Sequence, residues 1–162
     1  MLVNRAKEQI HIPLSFYKNA YCCGKENGKG LHAEFAIEGD CVRGVYRPES
    51  RLCGYPGIVH GGVLATLVDE AMFWAATRAY RKFCYAVEVN VRYKQPVPVG
   101  EEITITARES GKIKKIVVIE GAILNKNGQT LVKAEGKYFP FSDQQDQQAR
   151  IDMQVYQDGY PF

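Results

Sequence analysis

The chain has 162 residues, a formal net charge of +3, 46% hydrophobic residues and 24% charged residues. These values are typical of a globular protein with one domain, because the chain is long enough to bury a core but short for two domains. The small charge gives no reason to expect a nucleic-acid partner, and the lack of any stretch of about 18 apolar residues argues against a membrane-spanning helix or a membrane partner.

Residues 1–20 are mixed in character and are interpreted as an N-terminal extension. They contain no apolar run as long as a signal peptide needs, so we expect a cytoplasmic protein. The cysteines number five and are irregularly spaced, which favours reduced thiols over a disulfide framework. Cys22 and Cys23 lie at no familiar zinc-ligand spacing from His32 or His60, so we predict neither a metal site nor a cofactor.

Two strands are predicted ahead of the first long helix. Residues 31–39 and 41–48 have the composition of strands joined near Gly39, after a loop at residues 25–30 that is marked by its glycines and its Asn-Gly pair. Residues 48–57 are rich in turn-forming residues and are interpreted as a connector to the helix.

From about Gly61 to Tyr80 the apolar residues recur at steps of three and four, which predicts an α-helix. The stripe expected to face the core consists of Leu64, Val68, Ala71 and Ala75. The opposite side is also small or apolar except for one acid, and it consists of Gly62, Ala65, Asp69, Phe73 and Ala76. A helix that is apolar nearly all round should be covered on both sides, so a second body is expected on this opposite face.

After the helix the pattern changes to alternation. In residues 86–93 Val87, Val89 and Val91 alternate with polar residues, which suits a strand with one buried face. Further strands are predicted at residues 101–109, 113–124 and 129–139, the last two joined at Asn127-Gly128, a strong hairpin signal. The polar, glutamine-rich residues 141–162 are expected to be irregular or loosely docked. This order of elements predicts an α+β fold in a domain over residues 21–140.

Several motifs follow one another in a distinctive order. His60-Gly61-Gly62 is followed nine positions after the histidine by Asp69, then by VEVNVRYKQPVPVGEEI and NKNGQTLVKAEGKYF, and CCGKENGKGLHAEF precedes them. This order resembles the hotdog fold, specifically the phenylacetic-acid-degradation (PaaI-like) type of acyl-CoA thioesterase, over roughly residues 20–140. The resemblance implies a curved antiparallel sheet wrapped around one long central helix. It also implies active sites between subunits, in a homodimer or in a homotetramer built as a dimer of dimers.

The start of the predicted helix and the acids within it suit thioester hydrolysis, which needs a donor for a tetrahedral oxyanion and a base or nucleophile near the carbonyl carbon. The first N–H groups of a helix have no partners within it, so the Gly61 N–H is the expected oxyanion donor, and Gly62 leaves room for the substrate. Asp69 is the expected general base or nucleophile. Glu70, about 100° away around the helix, is a backup and more simply a partly solvated or salt-bridged acid. His60 could bind the thioester carbonyl or shape the loop.

The spacing of these groups indicates a shared site. Asp69 lies eight residues after Gly61, or roughly 12 Å along a helix axis at about 1.5 Å per residue. One carbonyl therefore cannot lie within hydrogen-bonding distance of both groups of one chain. Two helices packed antiparallel across a two-fold axis would bring Asp69 of one subunit toward Gly61 of the other, across the face of small residues. We predict a homodimer with two equivalent sites.

The expected substrate is an acyl-CoA with a medium-length or aromatic acyl group, and coenzyme A enters as part of it rather than as a cofactor. Its phosphates need basic side chains near the mouth of the site. The candidates, chosen for their positions on or beside the strands after the helix, are Arg92, Lys94, Lys112 and Lys114, with Lys115 beside the last two.

Two positions depart from the family pattern. Gly54 stands where an asparagine often orients the substrate carbonyl or a water, and Ala86 stands where a serine or threonine often holds the nucleophilic water. Tyr55 or Tyr85 are candidate substitutes for these helpers. The departures favour a second hypothesis, a non-catalytic hotdog domain that binds an acyl thioester or another apolar ligand. A dehydratase of this fold would need a paired histidine and aspartate in another arrangement, and the short N-terminus offers no DNA-binding segment.

Overall fold

The computed structural model describes residues 17–153, so residues 1–16 of the predicted extension and residues 154–162 of the predicted tail lie outside it. Two strands, β1 and β2, come first; β3 and β4 are short; and four long strands, β5 to β8, follow helix α1 and precede helix α2. Their bounds are β1 Glu34–Glu38, β2 Cys41–Tyr46, β3 Cys53–Tyr55, β4 Ile58–Val59, α1 Gly61–Tyr80, β5 Cys84–Tyr93, β6 Ile103–Ile113, β7 Ile116–Asn125, β8 Thr130–Pro140 and α2 Asp143–Asp152.

Six of the strands form one antiparallel sheet in the order β1-β2-β6-β7-β8-β5. Helix α1 packs against this sheet, which confirms the predicted α+β fold with a single long central helix. The predicted core stripe of α1 is buried, with Leu64, Val68, Ala71 and Ala75 all at most 5% exposed. In the predicted connector, β3 and β4 pair as a separate ribbon that leads directly into α1.

The close approach of α1 to the sheet depends on Gly121 of β7. A Cβ atom built on Gly121 would lie 2.6 Å from Val68 Cγ2 and 2.9 Å from Met72 Cγ. Such distances are too short for real side chains in a close-packed core, so only glycine lets the helix lie this near to the centre of the sheet.

The prediction of one continuous buried face on β5 is wrong at Val87. The pairing of β5 with β8 shifts register between Ala86 and Glu88, and Val87 is 57% exposed. A bulge adds a residue to one strand and turns the side chains around it, which simple alternation cannot anticipate. Val89 and Val91 are half-buried against the core as expected.

The prediction of an irregular, loosely docked tail is wrong for residues 143–152, which form α2. Ser142 and Gln145 cap this helix reciprocally, each side chain bonding the other's backbone N–H. Asp146 is only 8% exposed and accepts a hydrogen bond from the backbone N–H of Phe83 at 2.7 Å. The polar composition of this segment gave no indication of a capped helix, because the residue that holds Asp146, Phe83, lies 63 positions earlier in the sequence. Between residues 17 and 153 no helix is both long and apolar enough to cross a membrane.

Candidate active site

The start of α1 leaves one backbone donor unused. His60 is the N-cap residue, and its Nδ1 accepts a hydrogen bond from the Gly62 N–H at 2.9 Å. Within residues 17–153 the Gly61 N–H has no hydrogen-bond partner. Of the two glycine amides, only that of Gly61 is thus free to bind an oxyanion, while His60 shapes the helix start through its ring nitrogen.

Tyr93 of β5 holds this helix start in place. Its hydroxyl donates a hydrogen bond to the Gly61 carbonyl at 2.9 Å, and a Cβ on Gly61 would lie 3.2 Å from Tyr93 Cζ. The glycine therefore allows an aromatic ring to lie against the first turn, and the ring in turn fixes the direction of the Gly61 peptide. Sequence reasoning did not identify Tyr93.

Asp69 is half-buried on α1 and is held by Tyr138 of β8. The Tyr138 hydroxyl donates to Asp69 Oδ1 at 2.7 Å, and Tyr138 is 1% exposed. Burial, followed by the charge of Asp69, raises the pKa of Tyr138 well above its ordinary value, so the phenol keeps its proton and acts as a donor. In the described part of the chain, Oδ2 of Asp69 has no partner. One carboxylate oxygen is fixed and the other is available for chemistry.

Room for the Tyr138 ring comes from Gly136 on the same strand. A Cβ on Gly136 would lie 2.4 Å from Tyr138 Cε2, so the ring lies across the glycine. Tyr138 was missed in the sequence, although a signal existed. It falls on the same face of β8 as the buried Val132 and Ala134, and a buried phenol needs a hydrogen-bond partner.

A pocket of 290 Å³ opens beside these groups. We call it the Asp69 pocket, and its lining residues are Tyr17, Ala20, Asp69, Glu70, Phe73, Trp74, Ala86, Tyr138 and Met153. Most of its wall is apolar or aromatic, and its polar groups are two carboxyls and one phenol. This is the usual composition of a site for a small organic ligand.

The structure also locates the two departures from the family pattern. Ala86 lines the Asp69 pocket and is paired with Tyr138 on the neighbouring strand β8. A hydroxyl is therefore present in this pocket, but it comes from β8 and not from the β5 position where a serine or threonine is common. Tyr55 is 79% exposed, and Tyr85 stacks on Phe139, so neither lines this pocket. A Cβ on Gly54 would lie 3.2 Å from His60 Cα. An asparagine there would require His60 to shift by a few tenths of an ångström.

Glu70 is half-buried, which agrees with the expectation of a partly solvated acid, whereas the alternative of a salt-bridged acid is wrong. Its Oε1 accepts hydrogen bonds from Trp74 Nε1 at 3.0 Å and from Cys23 Sγ at 3.3 Å, and no salt bridge joins it to any residue between 17 and 153. Burial raises the pKa of Glu70, with a smaller contribution from the charge of Asp69, against the lowering effect of its two donors. Glu70 is thus held by Trp74 and Cys23, and Asp69, whose Oδ1 is fixed by Tyr138, is the better candidate for the catalytic group.

Cys22, Cys23 and Glu70 place possible metal-ligand atoms within 4.8 Å of one another. Metal binding requires deprotonated thiols. A hydrogen bond with Cys22, together with burial, raises the pKa of Cys23 strongly. All five cysteines are free of disulfides, and within this group the Cys23 thiol donates a hydrogen bond to Glu70 Oε1 at 3.3 Å.

Glu70→Gln is expected to stabilise the protein more at pH 8 than at pH 4. The raised pKa means that folded Glu70 holds its proton over a pH range in which the unfolded chain has lost it. Its contribution to the free energy of unfolding is therefore present at low pH and lost as pH rises through the folded pKa. Glutamine keeps an acceptor for Trp74 and cannot ionise, so melting temperatures should diverge from the wild type as pH rises.

Glu88→Gln is the matched control for this measurement. The hydrogen bond from Lys137 lowers the pKa of Glu88, so its stabilising contribution is instead lost as pH falls. The pair is exposed, so the change should be small. A difference between Glu70→Gln and the wild type that stays constant from pH 4 to 8 would contradict the assignment.

The proposed coenzyme A ligands fall into two separate groups. Arg92 and Lys94 flank Tyr93, which contacts Gly61, so they lie near the N-terminal end of α1. Lys112 lies 5.0 Å over the ring of Tyr80 at the other end, and Lys114 is in the turn after β6. Gly61 and Tyr80 are about 28 Å apart at about 1.5 Å per residue. One chain therefore does not bring all four basic residues together.

Part of the chain is similar in sequence to known thioesterases. Residues 56–132 match the family model described as the thioesterase superfamily. Over 83 residues the chain is 34% identical to acyl-coenzyme A thioesterase 13 of Mus musculus, a match that covers 51% of this chain and 59% of that protein. The chain thus spans less than two thirds of this relative's length.

Solved structures share the fold over most of the chain. A thioesterase superfamily protein has a TM-score of 0.70 at 25% identity, covering 80% of this chain and 66% of its own. The E. coli PaaI protein from the phenylacetic acid degradation operon has a TM-score of 0.62 at 21% identity, with coverage of 72% and 86%. A Streptococcus mutans protein solved with acetyl-CoA bound has a TM-score of 0.60 at 18% identity, with coverage of 68% and 89%.

The chain therefore has the hotdog fold, and its residues 56–132 match the model of the thioesterase superfamily. The fold shared with the E. coli PaaI protein confirms the hotdog fold that the PaaI-like resemblance implied.

Proposed function

We propose that the protein is an acyl-CoA thioesterase that hydrolyses the thioester of a medium-length or aromatic acyl-CoA at a site shared between two subunits. The observation that carries this proposal is the pair formed by an unused Gly61 N–H and a fixed Asp69 carboxylate beside an apolar pocket. The activity in the name of the mouse relative and the acetyl-CoA bound to the S. mutans structure support the substrate class.

The size of the Asp69 pocket supports the choice of acyl group. Its volume of 290 Å³ equals that of roughly ten water molecules at about 30 Å³ each. An acyl chain of medium length or a substituted aromatic ring has about that many heavy atoms. Phe73 and Trp74 would pack against such a group and keep bulk water from it.

The proposed reaction uses the two carboxylate oxygens of Asp69 differently. Oδ1 remains bonded to Tyr138, and Oδ2 takes a proton from a water whose oxygen attacks the thioester carbonyl carbon. The Gly61 N–H stabilises the resulting oxyanion, and its collapse breaks the C–S bond and returns the proton to the leaving thiolate. Alternatively, Oδ2 attacks the carbonyl itself and expels the thiolate, which takes a proton from solvent, and water then hydrolyses the resulting mixed anhydride to the free acid and the Asp69 carboxylate. Glu70 remains the backup acid.

A homodimer completes the site in this proposal. Gly61 and Asp69 are roughly 12 Å apart along one helix, so the two groups that act on one carbonyl would come from two chains. β5 at the edge of the sheet and the half-buried face of α1 around Asp69 are available for such an assembly. A homotetramer would be a dimer of such dimers. Arg92 and Lys94, near the Gly61 end of α1, are then the first candidates for the phosphates of coenzyme A, with Lys112 and Lys114 as a second group.

Co-expression of two inactive variants tests the shared site. Asp69→Asn and Gly61→Val should each be inactive as homodimers, the second because its side chain would meet Tyr93. In a random mixture half of the dimers contain one of each chain and thus one intact site, so about a quarter of wild-type activity should return.

The matched control carries both substitutions on one chain and is co-expressed with the wild type. Its mixed dimers contain no intact site, so only wild-type homodimers should be active. Mixed dimers that are present by native mass spectrometry yet restore no activity would rule out a site shared in this way.

A non-catalytic domain that binds an acyl thioester is the second candidate, favoured by Ala86 and Gly54 at the two helper positions. Release of free thiol from acyl-CoA substrates of increasing length and from aromatic ones, with Asp69→Asn as control, separates the two. Turnover that depends on Asp69 supports the enzyme. Binding of acyl-CoA without turnover on any member of the panel supports the second candidate.

The free cysteines also suit the reducing cytoplasm, which we propose as the location.

A further inference from the structure

The Asp69 pocket is lined in part by a segment outside the family match. Met153 directly follows α2, is half-buried against the core and lines this pocket together with Phe73 and Trp74. The family match ends at residue 132, so α2 and Met153 lie outside the matched residues. A pocket wall drawn from an element outside the matched region can set specificity without altering the catalytic groups.

α2 is anchored firmly at one place. Asp146 accepts hydrogen bonds from the Phe83 N–H and from Arg150 Nε, both at 2.7 Å. Arg150 also donates to the Arg81 carbonyl at 3.2 Å, while Lys82 and Asp143 form only an exposed pair. The contacts of Asp146 and Arg150 hold α2 against the turn that ends α1, which is the far end of the helix from Gly61.

The anchor of α2 and the wall of the pocket share one residue, Phe83. Its backbone N–H donates to Asp146, and its ring stacks on that of Phe73 with 6.1 Å between ring centroids. The same ring meets the Trp74 ring edge-on, with 6.5 Å between centroids. Both of those side chains line the Asp69 pocket. The pocket therefore extends from Asp69 along α1 toward the end where α2 is docked, and Met153 lies at that end.

We propose that α2 is the specificity element of this site, with Met153 as the wall that limits the length of the acyl group and Asp146 as the residue that positions it. This inference rests on the proposed thioesterase function and names its substrate class. Met153 would contact the end of the acyl group remote from the thioester. The wild type should accept acyl groups of about ten heavy atoms, because the pocket holds about that volume, and should discriminate against longer chains.

Changes at Met153 give the direct test. Met153→Ala removes part of the wall, so kcat/KM for an acyl-CoA four carbons longer than the wild-type optimum should rise relative to that optimum by about tenfold or more, as expected for extra methylene groups in an apolar pocket. Met153→Trp should shift the preference to shorter chains. Ile151→Ala is the control, because Ile151 is 50% exposed on α2 and does not line the pocket.

Changes at Asp146 test the positioning role. Asp146→Ala should shift the chain-length profile in the same direction as Met153→Ala, mainly through KM, because the anchor lies away from the reacting carbonyl. Asp143→Asn, which weakens only the exposed pair with Lys82, should leave the profile unchanged. Circular dichroism of each variant checks that the fold is retained, and Met153→Trp keeps the test informative if Asp146→Ala unfolds.

The outcomes separate this inference from the function on which it rests. If the wild type hydrolyses acyl-CoA and both Met153 variants keep its chain-length profile, α2 does not set specificity, although the thioesterase function stands. If the wild type hydrolyses no acyl-CoA, the proposed function fails, and this inference fails with it. A profile that shifts with Met153 and Asp146 but not with Ile151 or Asp143 supports the inference.

Discussion

Replacing Asp69 with asparagine is expected to lower kcat for acyl-CoA hydrolysis by about 10²–10⁴-fold, the usual contribution of a positioned general base. Asparagine has nearly the same shape, and its carbonyl oxygen can still accept the hydrogen bond from Tyr138, so the fold and the pocket should persist. The amide cannot take a proton from water or attack the thioester. The measurement is the initial rate of thiol release at saturating substrate, with KM determined on the same samples.

Two further variants interpret that result. Glu88→Gln removes an exposed acid on β5 that pairs with Lys137 and should keep wild-type kcat. Glu70→Gln removes the neighbouring acid of the same pocket and should lower kcat less than Asp69→Asn does. If Glu70→Gln abolished turnover while Asp69→Asn retained it, the roles of the two acids would have to be exchanged.

Tyr138→Phe is expected to lower kcat by about 10–100-fold with a smaller change in KM. The hydroxyl holds Oδ1 of Asp69 at 2.7 Å and so fixes the direction of Oδ2, and a misplacement of about 1 Å in a reacting group can cost about 10²-fold in rate. The substitution removes one oxygen from a residue that is 1% exposed and leaves its ring in place. Wild-type kcat in this variant would mean that Asp69 needs no positioning by β8.

Gly136→Ala provides an independent change to the same contact. Its new Cβ would lie 2.4 Å from Tyr138 Cε2, so the ring must move and carry its hydroxyl away from Asp69. The effect on kcat should match Tyr138→Phe in direction. Gly111→Ala on β6 is the matched control, because a Cβ there has no neighbour within 4 Å. A loss of activity in Gly111→Ala of the same size would indicate a general effect of glycine replacement.

The helix and most strands were predictable because short-range periodicity reports them directly. The helix from Gly61 to Tyr80 and the hairpin at Asn127-Gly128 agree with the structure, since each is encoded by neighbouring residues. The bulge at Val87 was not predictable, because it depends on the register with β8. α2 was obscured by its polar composition, since a short helix with one buried acid has little hydrophobic periodicity.

The candidate site likewise contains residues that the sequence could predict and residues that it could not. Gly61 and Asp69 could be selected from the sequence because a helix start and an acid at a given spacing have defined chemistry. The alternation of β8 could have marked Tyr138 as buried, but not as the partner of Asp69, because the two residues are 69 positions apart and meet only across the fold. The raised pKa of Glu70 could not be predicted from the sequence either, since it follows from the burial of this residue against the opposing effect of the donors on Trp74 and Cys23.

The sequence by itself thus determined α1, most of the strands and the two groups proposed to act on the thioester, because periodicity, capping and helix geometry operate over a few residues. Only the tertiary structure decided how the two acids are held. It fixed one oxygen of Asp69 through Tyr138 and placed Glu70 against the buried Cys23 thiol. The physical reason is that hydrogen-bond partners and burial are set by contacts between distant segments, and these contacts exist only once the sheet has wrapped around the helix.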